Sequence, residues 1–330
     1  MTAFSIKKID RKDPKDLERW EKLYAKADGA TIFHNPAFLA YHKERFTENH
    51  LAIYKGDTML GLLPLALSDN NGEKIAKSPY GASYGGIIFN KNIEYSDATE
   101  IVKTLKEYLT HNLKVNKVII TPPLPVYYNH QNDTFLFAMM EQGFKITNSD
   151  IDSLVPLVSA NLAEDCLTSR ARNMVRKAEK LNIDIQFNAS IDDFWKMMEI
   201  TFKKHGTNPT HTFEEWKYLS DNLPDYVWCD VAYYNNIPVA GIGHFKINDS
   251  VDSSFYLCRD IEHQETQALT LLIYRSILNS KKQGYKWFDF GVSSVNMVGR
   301  ESIFKFKESF GATGIFRNTF QLDFNSKNTD

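Results

Sequence analysis

Cysteine is scarce in this sequence: Cys166, Cys229 and Cys258 are the only three in 330 residues. They are widely spaced and form neither a Cys-x-x-Cys pair nor a Cys/His ligand pattern. That fits a reducing compartment with free thiols and argues against a structural zinc site. Long apolar runs are also missing, since no stretch of about 18 apolar residues occurs. The opening MTAFSIKKIDRKDPKDLERW carries charge throughout instead of an apolar signal core. A cytoplasmic protein without stable membrane insertion is expected. Neither sign of charge is in excess, because 39 Lys and Arg against 41 Asp and Glu leave a formal net charge of −2. No whole-molecule field draws the chain to nucleic acid, so a polyanionic ligand must be held by a local basic patch.

Metal and nucleophile patterns are equally thin. His205 and His211 bracket a GTNPT loop, but no acidic or cysteine ligand stands at a matching interval, so no metal is expected. No Ser/His/Asp or reactive-Cys arrangement follows from spacing. Thr212 with Glu215 reads as a capping box opening FEEWKYL, and Asn35 with Pro36 caps AFLAYHKE.

What is present is ordinary globular material, 43% hydrophobic and 24% charged, long enough for two domains. The chain repeats itself weakly. AIYKGDTMLGLLPL (residues 52–65) lies over AYYNNIPVAGIGHF (residues 232–245) without a gap. Each reads as strand, polar two-residue turn, strand, with turns at Gly56-Asp57 and Asn235-Asn236 that tolerate positive φ. A third strand follows each hairpin, reached through Asn71-Gly72 and Asn248-Asp249-Ser250. Then come helices over 96–113 and 265–282, and short apolar strands in NKVIITPP and YKWFDFG. The order strand, strand, strand, helix, strand, met twice, predicts a tandem α/β fold. The expected domains are 1–155 and 156–330, linked near Pro156 by NSDIDSLVPLVSANLAED.

That order, with TIFHNPAFLAYHKE, SPYGASYGGIIF, SRARNMVRKAEKLNI, and FDFG followed by FKFKESFGA, resembles a duplicated GNAT fold of the FemABX and BioF2-like acyltransferase group. The F-K-x-x-F-G pattern of that group falls on Phe306, Lys307, Phe310 and Gly311. The resemblance implies transfer of an activated acyl or aminoacyl group to an amine, with the two halves forming the clefts between them. It does not fix the donor.

Three stretches carry the candidate chemistry. In SRARNMVRKAEK one helical face is apolar while Arg172, Arg176 and Lys180 recur at i, i+4 on the other. Guanidinium forks one turn apart can clamp a diphosphate, and a solvated basic face is the alternative. In FDFG, alternation sends Asp289 away from Phe288 and Phe290. It would hold or deprotonate an incoming ammonium, or merely accept a hydrogen bond in a turn. Lys307 matches the lysine of the group, which implies stabilisation of the oxyanion formed when an amine attacks an ester or thioester. Phe306 and Phe310 would position it, Gly311 would turn the chain, and Phe306 with Arg300 would face substrate. Read as an alternating strand, the stretch puts Lys305 and Lys307 on the same side.

One departure bears on the donor. GNAT enzymes that use acetyl-CoA present a Q/R-x-x-G-x-G/A loop at a helix start, and HQETQALTLLIYRSIL has no such glycine. The expected donor is aminoacyl-tRNA or acyl-CoA, with no tightly bound cofactor. The expected acceptor is an amine, small or nucleotide-linked, of a cell-envelope (peptidoglycan) or polysaccharide precursor. An acetyl-CoA-dependent N-acetyltransferase of amino sugars or small amines is the alternative. A catalytically idle domain that binds a phosphorylated glycan or nucleotide is a third reading.

Overall fold

The computed structural model describes residues 3–158 and 166–324. The chain divides into two units, Met1–Ser149 with Phe316–Asp330, and Asp150–Ile315. The stretch from Phe316 thus belongs with the first unit, whereas a single cut after residue 155 assigns it to the second. In chain order the first unit contains β1 (Phe4–Ile9), α1 (Pro14–Tyr24), α2 (Pro36–Ala40), β2 (Thr47–Glu48), β3 (His50–Lys55), β4 (Thr58–Leu63), β5 (Ala66–Asn70), β6 (Glu73–Ser78), β7 (Ile88–Phe89), α3 (Tyr95–His111), β8 (Lys117–Ile120) and α4 (Thr134–Glu141). After β9 (Lys145–Pro156) come α5 (Ser169–Glu179), β10 (Asp184–Gln186), α6 (Ile191–His205), α7 (Phe213–Asn222), β11 (Val227–Tyr234), β12 (Ile237–Asn248), β13 (Val251–Arg259), α8 (Ala268–Lys282), β14 (Trp287–Val292), β15 (Ser294–Val295), β16 (Val298–Gly299), α9 (Glu301–Glu308) and β17 (Thr313–Asp323).

Both repeated hairpins form. Gly56 (φ 61°) turns β3 into β4, and Asn235 and Asn236 (φ 51° and 64°) turn β11 into β12, with Lys55 opposite Thr58 and Tyr234 opposite Ile237. In each unit a helix then carries the chain between parallel neighbours: α3 from β6 to β8, and α8 from β13 to β14. Parallel strands require such a crossover, so the shared pattern places the duplication in the topology itself. The units differ at Pro64. β12 runs unbroken for 12 residues, whereas its counterpart divides into β4 and β5 around Pro64, which has no N–H to give a ladder and whose carbonyl accepts from Ser78 Oγ (2.5 Å). In the first unit β4 therefore lies in the order β1-β3-β4-β7, and β5 in the order β17-β8-β6-β5-β2. The second unit orders its strands β10-β11-β12-β13-β14-β9.

The expected helices appear with the 3.6-residue period that buries one face. Ala98, Ile101, Val102, Leu105 and Leu109 of α3 enter the first core, and Leu271, Leu272 and Ile277 of α8 enter the second with Phe288, Phe290 and Phe310. On the other face of the second sheet, Gly243 lets aromatic side chains close down. A Cβ there would lie 2.8 Å from Phe194 and 2.9 Å from Trp216. The capping expectations hold: Thr212 and Glu215 exchange both bonds of the box, and Asn35 accepts from Ala37 N–H.

Two expectations are corrected. The stretch read as a linker is largely β9, which pairs antiparallel with β14 from Pro156 opposite Trp287 to Asp152 opposite Val292; residues 159–165 of it lie outside the described residues. FKFKESFG is not an alternating strand either. Glu301–Glu308 is the helix α9, so Lys305 and Lys307 point in different directions.

Candidate functional site

The site is assembled where β14 loses register. Between Asp289 and Val292 the pairing with β9 shifts, and Gly291 takes φ 70°, a left-handed conformation that glycine adopts without Cβ strain. The Gly291 N–H donates to Asp289 Oδ1 over 2.7 Å, closing a tight turn. Phe288 and Phe290 face the α8 core, and Asp289 stays buried at 2% exposure. The bulge turns two successive carbonyls toward α9.

Lys307 meets them. Its Nζ donates to Gly291 O (2.8 Å) and Val292 O (2.6 Å), and the side chain is 5% exposed. Burial lowers its pKa to about 8, although the Asp289 and Asp152 carboxylates favour the charged form. An ammonium has three N–H bonds, two are spent on these carbonyls, and the third has no acceptor among the described residues. Lys305, by contrast, is exposed and pairs with Glu301 one turn back (2.5 Å). The helix decides between them: residues two apart lie about 200° apart around its axis.

The aromatic frame is partly as expected. Phe310 is fully buried and touches the Phe306 ring at 5.4 Å between centroids, and both rings touch Phe290, at 5.8 and 6.4 Å respectively. Phe306 itself is 36% exposed, so only Phe310 is a core anchor. Gly311 has φ 84°, and a Cβ there would lie 3.0 Å from Cys166.

The basic helix begins beside the end of α9, because Thr168 N–H donates to Ser309 O over 3.0 Å. Thr168 also caps α5 through Ala171 N–H. Arg172 is half-buried and donates to Leu167 O (3.2 Å), while Arg176, one turn on, is exposed. Glu179 of the same helix pairs with Arg275 at 2.8 Å. Arg300 is exposed at the N-cap of α9, about 10 Å of helix away from Lys307 at 1.5 Å per residue. The structure thus joins Lys307, Asp289, Phe306 and Phe310 directly, brings the start of the Arg172 helix to the same end of α9, and sets Arg300 at the other end.

Asp152 and the Gly291 and Val292 carbonyls were not legible as site groups. Their signal is a carboxylate on β9 in register with Val292, visible only once the strand pairing is known. A second polar group was missed as well. His244 lies between Asp230 (3.1 Å) and Asp252 (2.9 Å), all three buried, with Ser276 donating to Asp230 and Ser280 to Asp252. Burial works against a charged ring, but the two carboxylates override it and hold His244 protonated well above its ordinary range. The sign in the sequence was polar residues at strand positions where alternation calls for apolar ones.

His211 is buried, with Nδ1 2.9 Å from the Tyr256 hydroxyl; the side chain of His205 lies outside the described residues. Among the described residues no group of three His, Cys, Asp or Glu is placed to hold a metal ion. Where a phosphate-cradling loop would stand, Gln267 (φ 57°) precedes α8, and the first helical N–H, of Ala268, already donates to Thr266 Oγ1 (3.3 Å).

No protein-family profile and no curated protein sequence matches this chain. Its fold is similar to those of solved structures. FemX aligns at TM-score 0.71 and 12% identity, over 93% of this chain and 96% of that one. The C-terminal domain of a putative lysylphosphatidylglycerol synthetase from Agrobacterium fabrum aligns at 0.61 and 10%, over 94% and 92%. A tandem GNAT protein from the clavulanic acid biosynthesis pathway aligns at 0.53 and 11%, over 98% and 100%. The chain has a tandem GNAT-like fold of the FemX kind. Among the described residues no helix is long and apolar enough to cross a membrane.

Proposed function

We propose that this chain is an acyl- or aminoacyltransferase in which the second unit promotes attack of an amine on an activated carbonyl, with Lys307 stabilising the oxyanion. The observation that carries the reading is the uncommitted third N–H of a buried ammonium whose other two are fixed by Gly291 O and Val292 O. A fixed donor in a water-poor site stabilises developing negative charge far better than a mobile one in solvent. In the reaction the neutral amine forms a C–N bond to the carbonyl carbon, the C–O or C–S bond to the donor breaks, and the proton shed by nitrogen leaves with the departing alcohol or thiol. Asp289 acts as a positioning residue, since its carboxylate holds the Gly291 N–H and supports the charge on Lys307.

Arg172 and Arg176 supply cations for a phosphate-bearing substrate. The fold likeness to FemX and to a lysylphosphatidylglycerol synthetase domain supports an acceptor from a cell-envelope precursor and an aminoacyl donor. The capped Ala268 N–H and the missing glycine loop weigh against ordinary acetyl-CoA binding at α8.

The test is incubation of the purified protein with charged tRNA or acetyl-CoA and a panel of amine-bearing nucleotide sugars, followed by mass spectrometry. The expected result is an acceptor heavier by one acyl group, lost in Lys307→Met. No transfer from either donor, or undiminished transfer by that variant, overturns the reading.

A further inference from the structure

The first unit contains a cavity of about 120 Å³, walled by Phe89, Ile120, Phe135, Leu136, Met139 and Phe320. An apolar cavity of about 150 Å³ stays dry and takes up benzene, so this space suits one ring or a short branched chain. The wall is built in advance. The Tyr128 ring closes over Gly29, where a Cβ would lie 2.1 Å from Cε1, so that position excludes any side chain. Asp28 ties the following turn down by accepting from Asn129 N–H (2.7 Å) and His130 N–H (3.0 Å).

The mouth is polar and carries both signs of charge. Asp28 is engaged by backbone N–H groups, including that of Gly29. Lys91 and Asp133 also line the cavity, both are exposed, and neither makes an ion pair among the described residues. Asp133 precedes α4 without its side chain capping the helix. An apolar slot beneath one uncommitted cation and one uncommitted carboxylate complements a ligand of the same plan. We propose that this cavity binds a small zwitterion with an apolar side chain, of the class of free aromatic or branched-chain α-amino acids, its carboxylate toward Lys91 and its ammonium toward Asp133. The site uses no residue of the second unit and stands independently of the reaction assigned to Lys307.

Calorimetric titration tests it with three probes of equal ring size: phenylalanine, 3-phenylpropionate and phenethylamine. Phenylalanine should bind saturably and at least fivefold more tightly than either singly charged analogue. Lys91→Gln should remove its advantage over phenethylamine, and Asp133→Asn its advantage over 3-phenylpropionate. Leu136→Trp, which fills the slot, should abolish binding, and Lys307→Met should leave it unchanged. Absence of saturable phenylalanine binding to the unaltered protein overturns the proposal. So does an analogue binding as tightly as phenylalanine, or wild-type affinity in both surface variants. The two exposed substitutions keep the test decisive if Leu136→Trp fails to fold.

Discussion

Lys307 donates to the carbonyl of Gly291, the residue at which β14 departs from its register with β9, over 2.8 Å. A backbone irregularity and a buried cation therefore explain each other: the bulge supplies the acceptors, and the ammonium satisfies carbonyls that the ladder has given up. If the remaining N–H serves an oxyanion, Lys307→Met should lower kcat about a hundredfold or more with ground-state binding nearly unchanged. Lys305→Met, which removes an exposed partner of Glu301, should cost little. With the Lys307 pKa at about 8, kcat should also fall as pH rises through that value, and the fall should vanish in Lys307→Met. Steady-state kinetics from pH 6 to 9.5 would read all three, and equal activity of the two variants would remove Lys307 from the mechanism.

The same group carries a stability signature of defined sign. The unfolded chain keeps the lysine proton to its ordinary value of 10.5, whereas the folded chain releases it near 8. Between those values the unfolded state binds more protons, so native stability gains with rising pH. Relative to Lys307→Met, the wild type should be handicapped most below pH 8 and should recover about 3 kcal/mol by pH 10.5, at about 1.4 kcal/mol per unit. Urea unfolding of the pair at pH 7 and pH 10.5 measures this. A gap that stays constant would mean that Lys307 keeps its ordinary pKa.

Gly291 offers a backbone test. Space is not the constraint, since nothing lies within 4 Å of a Cβ built there, but φ 70° is. Gly291→Ala should cost about 1–2 kcal/mol of stability from left-handed strain and should lower kcat by moving the carbonyls that fix Lys307. Gly291→Asn, which tolerates that conformation better, should recover part of both losses. Identical behaviour of the Ala and Asn variants in thermal unfolding and turnover would show that the conformation is not what matters.

Legibility in the sequence followed periodicity. The turns at Gly56 and Asn235-Asn236, α3 and α8 were readable because each has a local chemical cause, positive φ or a 3.6-residue apolar stripe. The part of β9 in NSDIDSLVP has the composition of a linker, and only its pairing with β14 makes it a strand. The alternation F-K-F-K imitates a strand, yet α9 buries a lysine at a position where the pattern rule puts an apolar residue. That local rule is broken at the site, and its compensation, two carbonyls and two carboxylates, comes from the preceding strand β14 and from β9, which alone is far off in sequence.

The basic helix is testable without knowing the whole substrate. Arg172 and Arg176 lie one turn apart on α5, whose first turn hydrogen-bonds to the end of α9. Replacing both by Gln should raise the Kd for a phosphorylated acceptor, and the wild-type affinity should weaken with added salt more steeply than that of the variant. The melting temperature should fall only slightly, since Arg176 is exposed and Arg172 gives up one part-buried hydrogen bond to Leu167 O. Equal affinity and equal salt dependence in titrations at 50 and 300 mM salt would return these arginines to the surface.

His244 supplies the final prediction, and its pH window runs opposite to that of Lys307. The ring is stacked on Trp228 at 4.9 Å and held between Asp230 and Asp252. Its folded pKa is raised above the ordinary 6.5, so the native state binds the extra proton, and the stabilisation is complete below 6.5 and lost as pH climbs toward the raised value. Asp252→Asn removes one carboxylate and leaves a buried charge poorly compensated, a change that costs about 3–5 kcal/mol when a buried pair is broken. That deficit should be largest near pH 6 and should shrink as pH rises through the raised value of about 10, above which the ring is neutral in both proteins. Because Lys307 titrates alike in both, the difference isolates His244. Urea unfolding of the two proteins across this range decides the matter: a deficit independent of pH would mean that the buried imidazole is neutral in the native state and that the cluster is held by hydrogen bonds alone.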